Sequence, residues 1–426
     1  MVTFFLMTFV VLLCLGTPIA LVLSGSALAY FLVAGASSPA VLVQTVFSGL
    51  QVYPLLAVPL FILAGNLMAE SGMLQDLINF SRKLVGHMSG GLGLVTMVTV
   101  TFFGAICGAA VAAAVAIGGI MLPAMKQAGY DEGYAAGLVA VGSLTNPLIP
   151  PSVAMIQYAV IANLSIASLF VAGIIPGCVL GLSLGLYAYV VAKRRGYPVA
   201  DRGPTFKEFI VTTVKASPAL MMPVLVFGGI VLGWYTPTEA AGISVLYAVV
   251  VGVAIYKGLK LSKMPKLLLQ AAMESSVVML LLGMSEPASW IVAVERIPEV
   301  IINLVATVNA DPWVILLFIN IALLLIGIPL ETAPAIAILA PVLAPLAGPL
   351  GIDPIQLALV VIFNLIIGLV TPPVGGVLFA VCAVGNIRLE KISKAVVIPF
   401  FIAVLVLFMM TYIPAMTLYL PHLLLK

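Results

Sequence analysis

Two short stretches, Asn146-Pro147-Leu148-Ile149-Pro150-Pro151-Ser152 and Gly368-Leu369-Val370-Thr371-Pro372-Pro373-Val374, lie inside long apolar segments, their proline pairs 222 positions apart. Proline lacks an N–H and pushes the residue before it out of the helical region, so a helix entering either stretch must break there. In hydrocarbon, carbonyls freed by such a break need protein or an ion to satisfy them. Several oxygens meeting at one point, mostly backbone carbonyls of little formal charge, suit a hard monovalent cation better than a transition metal, which takes His or Cys. Sodium fits that chemistry, with protons as the weaker alternative. Two broken helices in matching positions of two halves point to a transporter's binding site.

Side chains that could join them are polar residues set in apolar sequence, costly there and therefore site hypotheses. In the first half these are Asn66, Ser143, Thr145, Asn146, Ser152 and Gln157; in the second, Glu331, Thr332, Asn364 and Thr371. Glu331 could serve an ion or proton, cap a tip or simply face the outer mouth, and Glu274 and Glu286 could be scaffold contacts or gate residues. Small residues around Gly104 and Gly108, and around Gly327, let the backbone of a hairpin tip approach closely. His87 and His422 fall in loops or ends. There is no His-Glu-x-x-His, no Walker A loop and no Gly-x-Ser-x-Gly elbow, so the expected coupling is to an ion gradient and not to ATP or hydrolysis.

The elements that must position these residues are membrane helices. The chain is 63% hydrophobic and only 8% charged, against roughly 25% charged for a soluble domain. Its apolar runs are long enough to span and lack the alternation of an outer-membrane barrel. Met1-Val2-Thr3-Phe4-Phe5 has no basic region and no small-residue cleavage site, which reads as a retained membrane helix. Cys14, Cys178 and Cys382 read as small buried hydrophobes. No basic nucleic-acid face is present.

The expected fold is an all-α polytopic membrane protein of two inverted-topology repeats, with re-entrant hairpins and Pro-Pro-broken helices, working as an elevator. Residues 1–192 form the first repeat: scaffold helices over about 3–69 and 168–192, a hairpin over 92–122 and a broken helix over 133–162. Residues 193–216 form a cytoplasmic linker along the interface. Residues 217–426 form the second repeat, with scaffold over 217–293 and 395–420, a hairpin over 313–346 and a broken helix over 354–384. Thr17-Pro18 matches Thr236-Pro237, Gly104 matches Gly327 and Pro123 matches Pro345 at nearly constant offset. If both long segments near residues 92–122 and 313–346 are hairpins, sixteen of the 18 Lys and Arg residues fall on one face. The positive-inside rule makes that face cytoplasmic and puts both termini outside.

The runs Pro59-Leu60-Phe61-Ile62-Leu63-Ala64-Gly65, Phe103-Gly104-Ala105-Ile106, Leu148-Ile149-Pro150-Pro151-Ser152 and Asn364 through Gly375 resemble the large membrane subunit of tripartite ATP-independent periplasmic (TRAP) transporters. The resemblance implies a sodium-driven elevator importer in a bacterial inner membrane. It also implies two partners, a small four-helix membrane subunit on a separate chain and a periplasmic protein that delivers carboxylate-bearing solutes. Carried over residue by residue, a first sodium site falls on Gly104, Cys107, Asn146, Ile149 and Pro150, and a second on Gly327, Gly368, Thr371 and Val374. Cys107 and Ala109 stand where the family often has small hydroxyls, and Asn146 where it has glycine. Solute is expected between hairpin tips and Pro-Pro stretches, near Pro151, Ser152, Thr332, Pro373 and Gly375, where amides and helix N-termini attract carboxylate. The alternatives are a self-sufficient sodium or proton symporter for di- or tricarboxylates, and a membrane scaffold that transports nothing.

Overall fold

The computed structural model describes residues 2–34, 40–199, 203–300, 303 and 311–425, and every described element is helical. The chain opens with α1 (Val2–Cys14) and α2 (Ile19–Ala34), which pack on each other across a turn at Gly16. The rest of the scaffold stretch expected over about 3–69 is divided: α3 (Ala40–Leu50) ends before a 3-10 turn over Tyr53–Leu56, and α4 (Ala57–Glu70) follows. Pro54 opens that turn, where its missing N–H is not needed. Next comes a helix that apolar segmentation passes over, α5 (Met73–Val85). It buries Met73, Leu74, Leu77, Ile78 and Phe80 at helical spacing while Asp76, Arg82 and Lys83 hold its polar side.

The expected hairpin over 92–122 is α6 (Gly91–Cys107) and α7 (Ala110–Gln127), joined at Gly108, whose φ of +66° favours glycine. The broken helix is α8 (Glu132–Gly142), capped by the Asp131 carboxylate, a 3-10 turn, an irregular stretch through the proline pair, and α9 (Val153–Ala162). A 30-residue helix, α10 (Ile166–Arg195), completes the half. The second half begins with α11 (Phe206–Val231), α12 (Pro237–Val250, opened by a Thr236–Glu239 capping box) and α13 (Met264–Val294). A hairpin of α14 (Pro312–Gly327) and α15 (Thr332–Leu343) follows, then α16 (Pro354–Gly368) and α17 (Gly376–Gly385) on either side of the second break. The segment expected over 395–420 is two helices, α18 (Leu389–Tyr412) and α19 (Ala415–Leu424), separated at Pro414. Among the described residues seven helices are long and apolar enough to cross a membrane.

Packing sorts these helices into two groups. In the outer group α11 lies on α5, α12 on α4, and α13 on α2, α3 and α4. In the inner group α7 packs on α17, α8 on α18, α9 on α15 and α14 on α16. The segments over 168–192 and 395–420, expected in the outer scaffold, pack mainly inward: α10 on α6 and α19, α18 on α8 and α16. Both are apolar on every side, so periodicity carried no sign of their neighbours. The linker expected over 193–216 also shrinks, because Lys193–Arg195 close α10 and Phe206 already opens α11; residues 200–202 lie outside those described. Cys14 and Cys178 are exposed on the chain and not buried as expected.

Charged contacts join segments of the basic face. Glu132 lies 2.6 Å from Lys126 and 3.0 Å from Lys391, and the Asp131 N–H donates to the Tyr197 hydroxyl at 3.2 Å. Lys126 first, then Lys391, holds the Glu132 carboxyl down at about 2 from its ordinary 4.5. A depressed carboxyl stabilises the fold above its unfolded value and loses that contribution as pH falls through the folded one. Acid melts should therefore lose stability between pH 4.5 and about 2, and Glu132→Gln should flatten that part of the curve. An unchanged acid profile in the variant would refute the assignment.

Candidate functional site

The first break is wholly enclosed. Every residue from Ser143 to Ser152 is buried, held by a 3-10 turn over Ser143–Thr145 and by the Leu148 and Ile149 N–H groups, which donate to the Thr145 carbonyl. The α6–α7 tip presses directly on it. A Cβ on Gly104 would stand 3.0 Å from the Asn146 Cα, and one on Gly108 would stand 2.1 Å from the Pro151 carbonyl oxygen. Gly104, Asn146, Pro150 and Pro151 are thus at one place. Ile149 is there by its backbone, its side chain being packed under Gly177 of α10. Cys107 is beside it, with its sulfur 3.6 Å from where a Gly65 Cβ would be, on the α4 side.

Asn146 is the notable side chain of this stretch. It is fully buried, and its Nδ2 donates to the Val100 carbonyl at 3.4 Å and the Ser143 carbonyl at 3.2 Å. Its Oδ1 has no donor. Leaving a buried acceptor unmatched costs about 1–3 kcal/mol, and an oxygen of that kind among backbone carbonyls is what a monovalent cation needs. The residues present fit sodium.

The second break has the same close approach and a different setting. The Gly327 carbonyl oxygen would sit 2.2 Å from a Cβ on Gly368, so the α14–α15 tip touches the end of α16 backbone to backbone. The Thr371 N–H donates to the Gly368 carbonyl at 3.0 Å, and its Oγ1 donates to the Ile367 carbonyl at 2.9 Å, which leaves the hydroxyl lone pairs available. The Val377 N–H reaches back across the break to the Leu369 carbonyl. Pro372, Pro373 and Val374 are exposed, Val374 by 43%, where their counterparts in the first half are buried. Both Pro-Pro bonds are cis.

Between the two tips lies a cavity of about 170 Å³. Gly108–Val111 from one tip, Glu331–Ala333 from the other, Pro147, Val153, Ala154 and Gln157 around the first break, and Ile366 and Leu369 before the second form its wall. Three helices begin there. The α7 and α15 N-termini carry no side-chain cap, while Ser152 caps α9 by accepting the Met155 N–H. First-turn N–H groups and the helix dipoles make such ends favourable to anions. The Thr332 hydroxyl and the Gln157 Oε1 are buried without partners, and the Gln157 Nε2 donates to the Ala333 carbonyl at 2.8 Å.

Of the solute residues expected from sequence, Thr332 lines this cavity, Ser152 and Pro151 lie just behind its wall, and Pro373 and Gly375 do not reach it. Gly375 is turned inward against the Leu369 carbonyl, and Pro373 faces out. Glu331 is exposed on the wall near Gly376, at the start of α17. Glu274 accepts from Asn66 and Gln270, and Glu286 packs on Gly49, so both are contacts of α13 within the outer group. Sequence reading missed Asn320: its Oδ1 accepts from Asn364 at 2.5 Å and its Nδ2 donates to Thr411 at 3.1 Å, deep in the inner group. A lone asparagine within Phe318-Ile319-Asn320-Ile321-Ala322 was the available signal.

The family described as "Tripartite ATP-independent periplasmic transporter, DctM component" matches residues 6–416. The chain is 36% identical over 418 residues to the sialic acid TRAP transporter large permease protein SiaM of Vibrio cholerae, covering 97% of this chain and 96% of that one. It is 36% identical over 370 residues to the C4-dicarboxylate TRAP transporter large permease protein DctM of Pseudomonas aeruginosa, covering 87% and 86%. It is also 36% identical over 411 residues to the isethionate TRAP transporter permease protein DctMQ of Oleidesulfovibrio alaskensis, covering 96% of this chain and 65% of that protein. With the family matching nearly the whole chain and seven described helices long and apolar enough to span, the chain belongs to the DctM component family of tripartite ATP-independent periplasmic transporters and is a multi-pass membrane permease.

Proposed function

We propose that this chain is the transport subunit of a sodium-driven importer of carboxylate-bearing organic solutes in a bacterial inner membrane. The observation that carries the reading is the cavity between the two hairpin tips, where three helix N-termini meet. The solute's carboxylate sits at the α7 and α9 ends. Glu331 places a carboxylate at the opposite end, so the group facing it there is a hydrogen-bond donor. Sodium is held at the flanks, by Gly104, Asn146, Pro150 and the Cys107 and Ile149 backbones on one side, and by Gly327, Gly368, Thr371 and Val374 on the other.

The two halves are read as inverted repeats, with both termini periplasmic and the basic face cytoplasmic. The 222-residue offset between the proline pairs and the charge asymmetry support this. The inner group is the moving body of an elevator and the outer group its support. A periplasmic binding protein and a small four-helix membrane subunit are the partners; relatives named for sialic acid, C4-dicarboxylate and isethionate favour an organic anion as cargo.

Reconstitution in proteoliposomes with both partners should give uptake that needs an inward sodium gradient and the binding protein. Uptake by the chain alone would sink the partner requirement and favour a self-sufficient symporter. Uptake driven by a proton gradient without sodium would sink the choice of ion.

A further inference from the structure

Behind the second break, polar side chains join three helices of the inner group. The Asn364 Nδ2 of α16 donates to the Asn320 Oδ1 of α14 at 2.5 Å and to the Val360 carbonyl at 3.3 Å. The Asn320 Nδ2 donates in turn to the Thr411 Oγ1 of α18 at 3.1 Å. Gln356 of α16 donates to the Met410 and Thr411 carbonyls at 3.0 and 2.9 Å, at the end of α18, where carbonyls have no partner within the helix. All four side chains are buried, and the Asn364 Oδ1 is left without a donor. An unmatched buried acceptor costs stability. What a buried asparagine between helices gives in return is register, the choice of which residues face each other.

We propose that Asn320 and Asn364 are positioning residues for the second sodium site, an inference that rests on the sodium reading given above. Asn320 lies seven residues before Gly327 on α14 and Asn364 four before Gly368 on α16, so on each helix the asparagine and the glycine share a face. At the glycines the helices meet with no side chain between them: a Cβ on Gly327 would stand 3.4 Å from the Gly368 Cα and 3.5 Å from the Leu365 Cα. Contact that smooth sets neither rotation nor axial position, and the asparagine bond supplies both. The first half has no such pair. Met97 and Gly142 stand there at the repeat offset, in apolar contact, and the break they support is enclosed by its neighbours. Pro372, Pro373 and Val374 are exposed, so the second break lacks that enclosure and takes its register from the bonds behind it. A binding site must be held to within about 0.5 Å by groups that are themselves locked by hydrogen bonds. Asn320 and Asn364 do this for the Gly327 and Gly368 backbones without touching the ion.

Uptake in proteoliposomes with both partners, measured against sodium concentration, tests this together with melting of the purified full chain. Asn320→Leu should raise the half-saturating sodium concentration about tenfold, the worth of one buried hydrogen bond, while the rate at saturating sodium stays near the parent's. Asn320→Leu/Asn364→Leu separates position from stability. Removing both partners leaves neither amide unmatched, so its sodium-free melt should return toward the parent's, yet its sodium requirement should stay raised. Ser244→Ala, which removes a buried hydroxyl from α12 in the outer group, should keep the parent's sodium curve. Where a variant loses uptake altogether, sodium titration of its melt makes the same comparison. A double variant that regains the parent's sodium affinity along with its melting temperature, or an Asn320→Leu that follows the parent's sodium curve, would show that the pair only stabilises the fold and would overturn the inference. Parent uptake that needs no sodium is a different result, and it would sink the sodium reading and the positioning role together.

Discussion

Gly368→Ala should abolish sodium-driven uptake while leaving the chain in the membrane. A methyl group there would fall 2.2 Å from the Gly327 oxygen, 2.4 Å from its carbonyl carbon and 2.7 Å from its Cα. All three are backbone atoms of a hairpin tip, so no side-chain rotation relieves the clash. Forcing a carbon into packed surroundings costs up to about 3 kcal/mol, roughly a hundredfold in the population of the closed tip. Gly228→Ala supplies the control: nothing lies within 4 Å of its Cβ position on α11, and alanine is the better helix former. Uptake should survive in Gly228→Ala and vanish in Gly368→Ala at matched membrane levels. If Gly368→Ala accumulates poorly, lowered growth temperature and a sodium-dependent melt of the purified variant give the same comparison. Uptake within twofold of the parent would show that the tip contact has no part in transport.

The second large effect concerns Asn146. A carboxylate has nearly the same shape as the amide it would replace in Asn146→Asp, but the site would then hold a buried charge. With sodium present the charge is paired; without it the group carries the full penalty of an isolated buried ion, which costs several kcal/mol or forces neutralisation. The variant should therefore be far more sodium-dependent in its melting than the parent. The parent's own stabilisation should follow simple mass action, about 2.7 kcal/mol at a hundredfold excess over Kd. Asn146→Leu, which removes the unpartnered oxygen together with the bonds to Val100 and Ser143, should lose the sodium response. Potassium serving as well as sodium, or a sodium-independent melt of Asn146→Asp, would rule out a sodium ligand at this oxygen.

How much of this was legible in the sequence depended on whether the signal was local. The breaks at Pro150-Pro151 and Pro372-Pro373 were, because proline acts through its own ring and missing donor. The tips at Gly104, Gly108 and Gly327 were partly so, since glycine announces close approach without saying to what. The α5 helix was hidden because its mean hydropathy is that of a loop; only its spacing of Met73, Leu74, Leu77 and Ile78 gives it away. The placing of α10 and α18 with the inner group could not be read at all from helices that are apolar around their whole circumference. The cavity wall escaped for a related reason: Val153, Ala154, Ile366 and Leu369 are ordinary apolar residues whose role comes only from where α9 and α16 start and stop. In the same way Pro373 and Gly375 carry the second break without facing the cavity.

The crossed packing of α7 on α17, α8 on α18 and α9 on α15 bears on how the chain is made. A ribosome delivers α7, α8 and α9 (residues 110–162) to the membrane long before residues 332–412 exist, yet each of these early helices finds a partner among the late ones. Contacts of such long sequence separation form slowly. Insertion and maturation are thus separate events. The first half closes over Asn146 with its own Val100, Ser143 and Gly104, while the outward faces of α7, α8 and α9 wait in the bilayer until the last quarter of the polypeptide arrives to cover them.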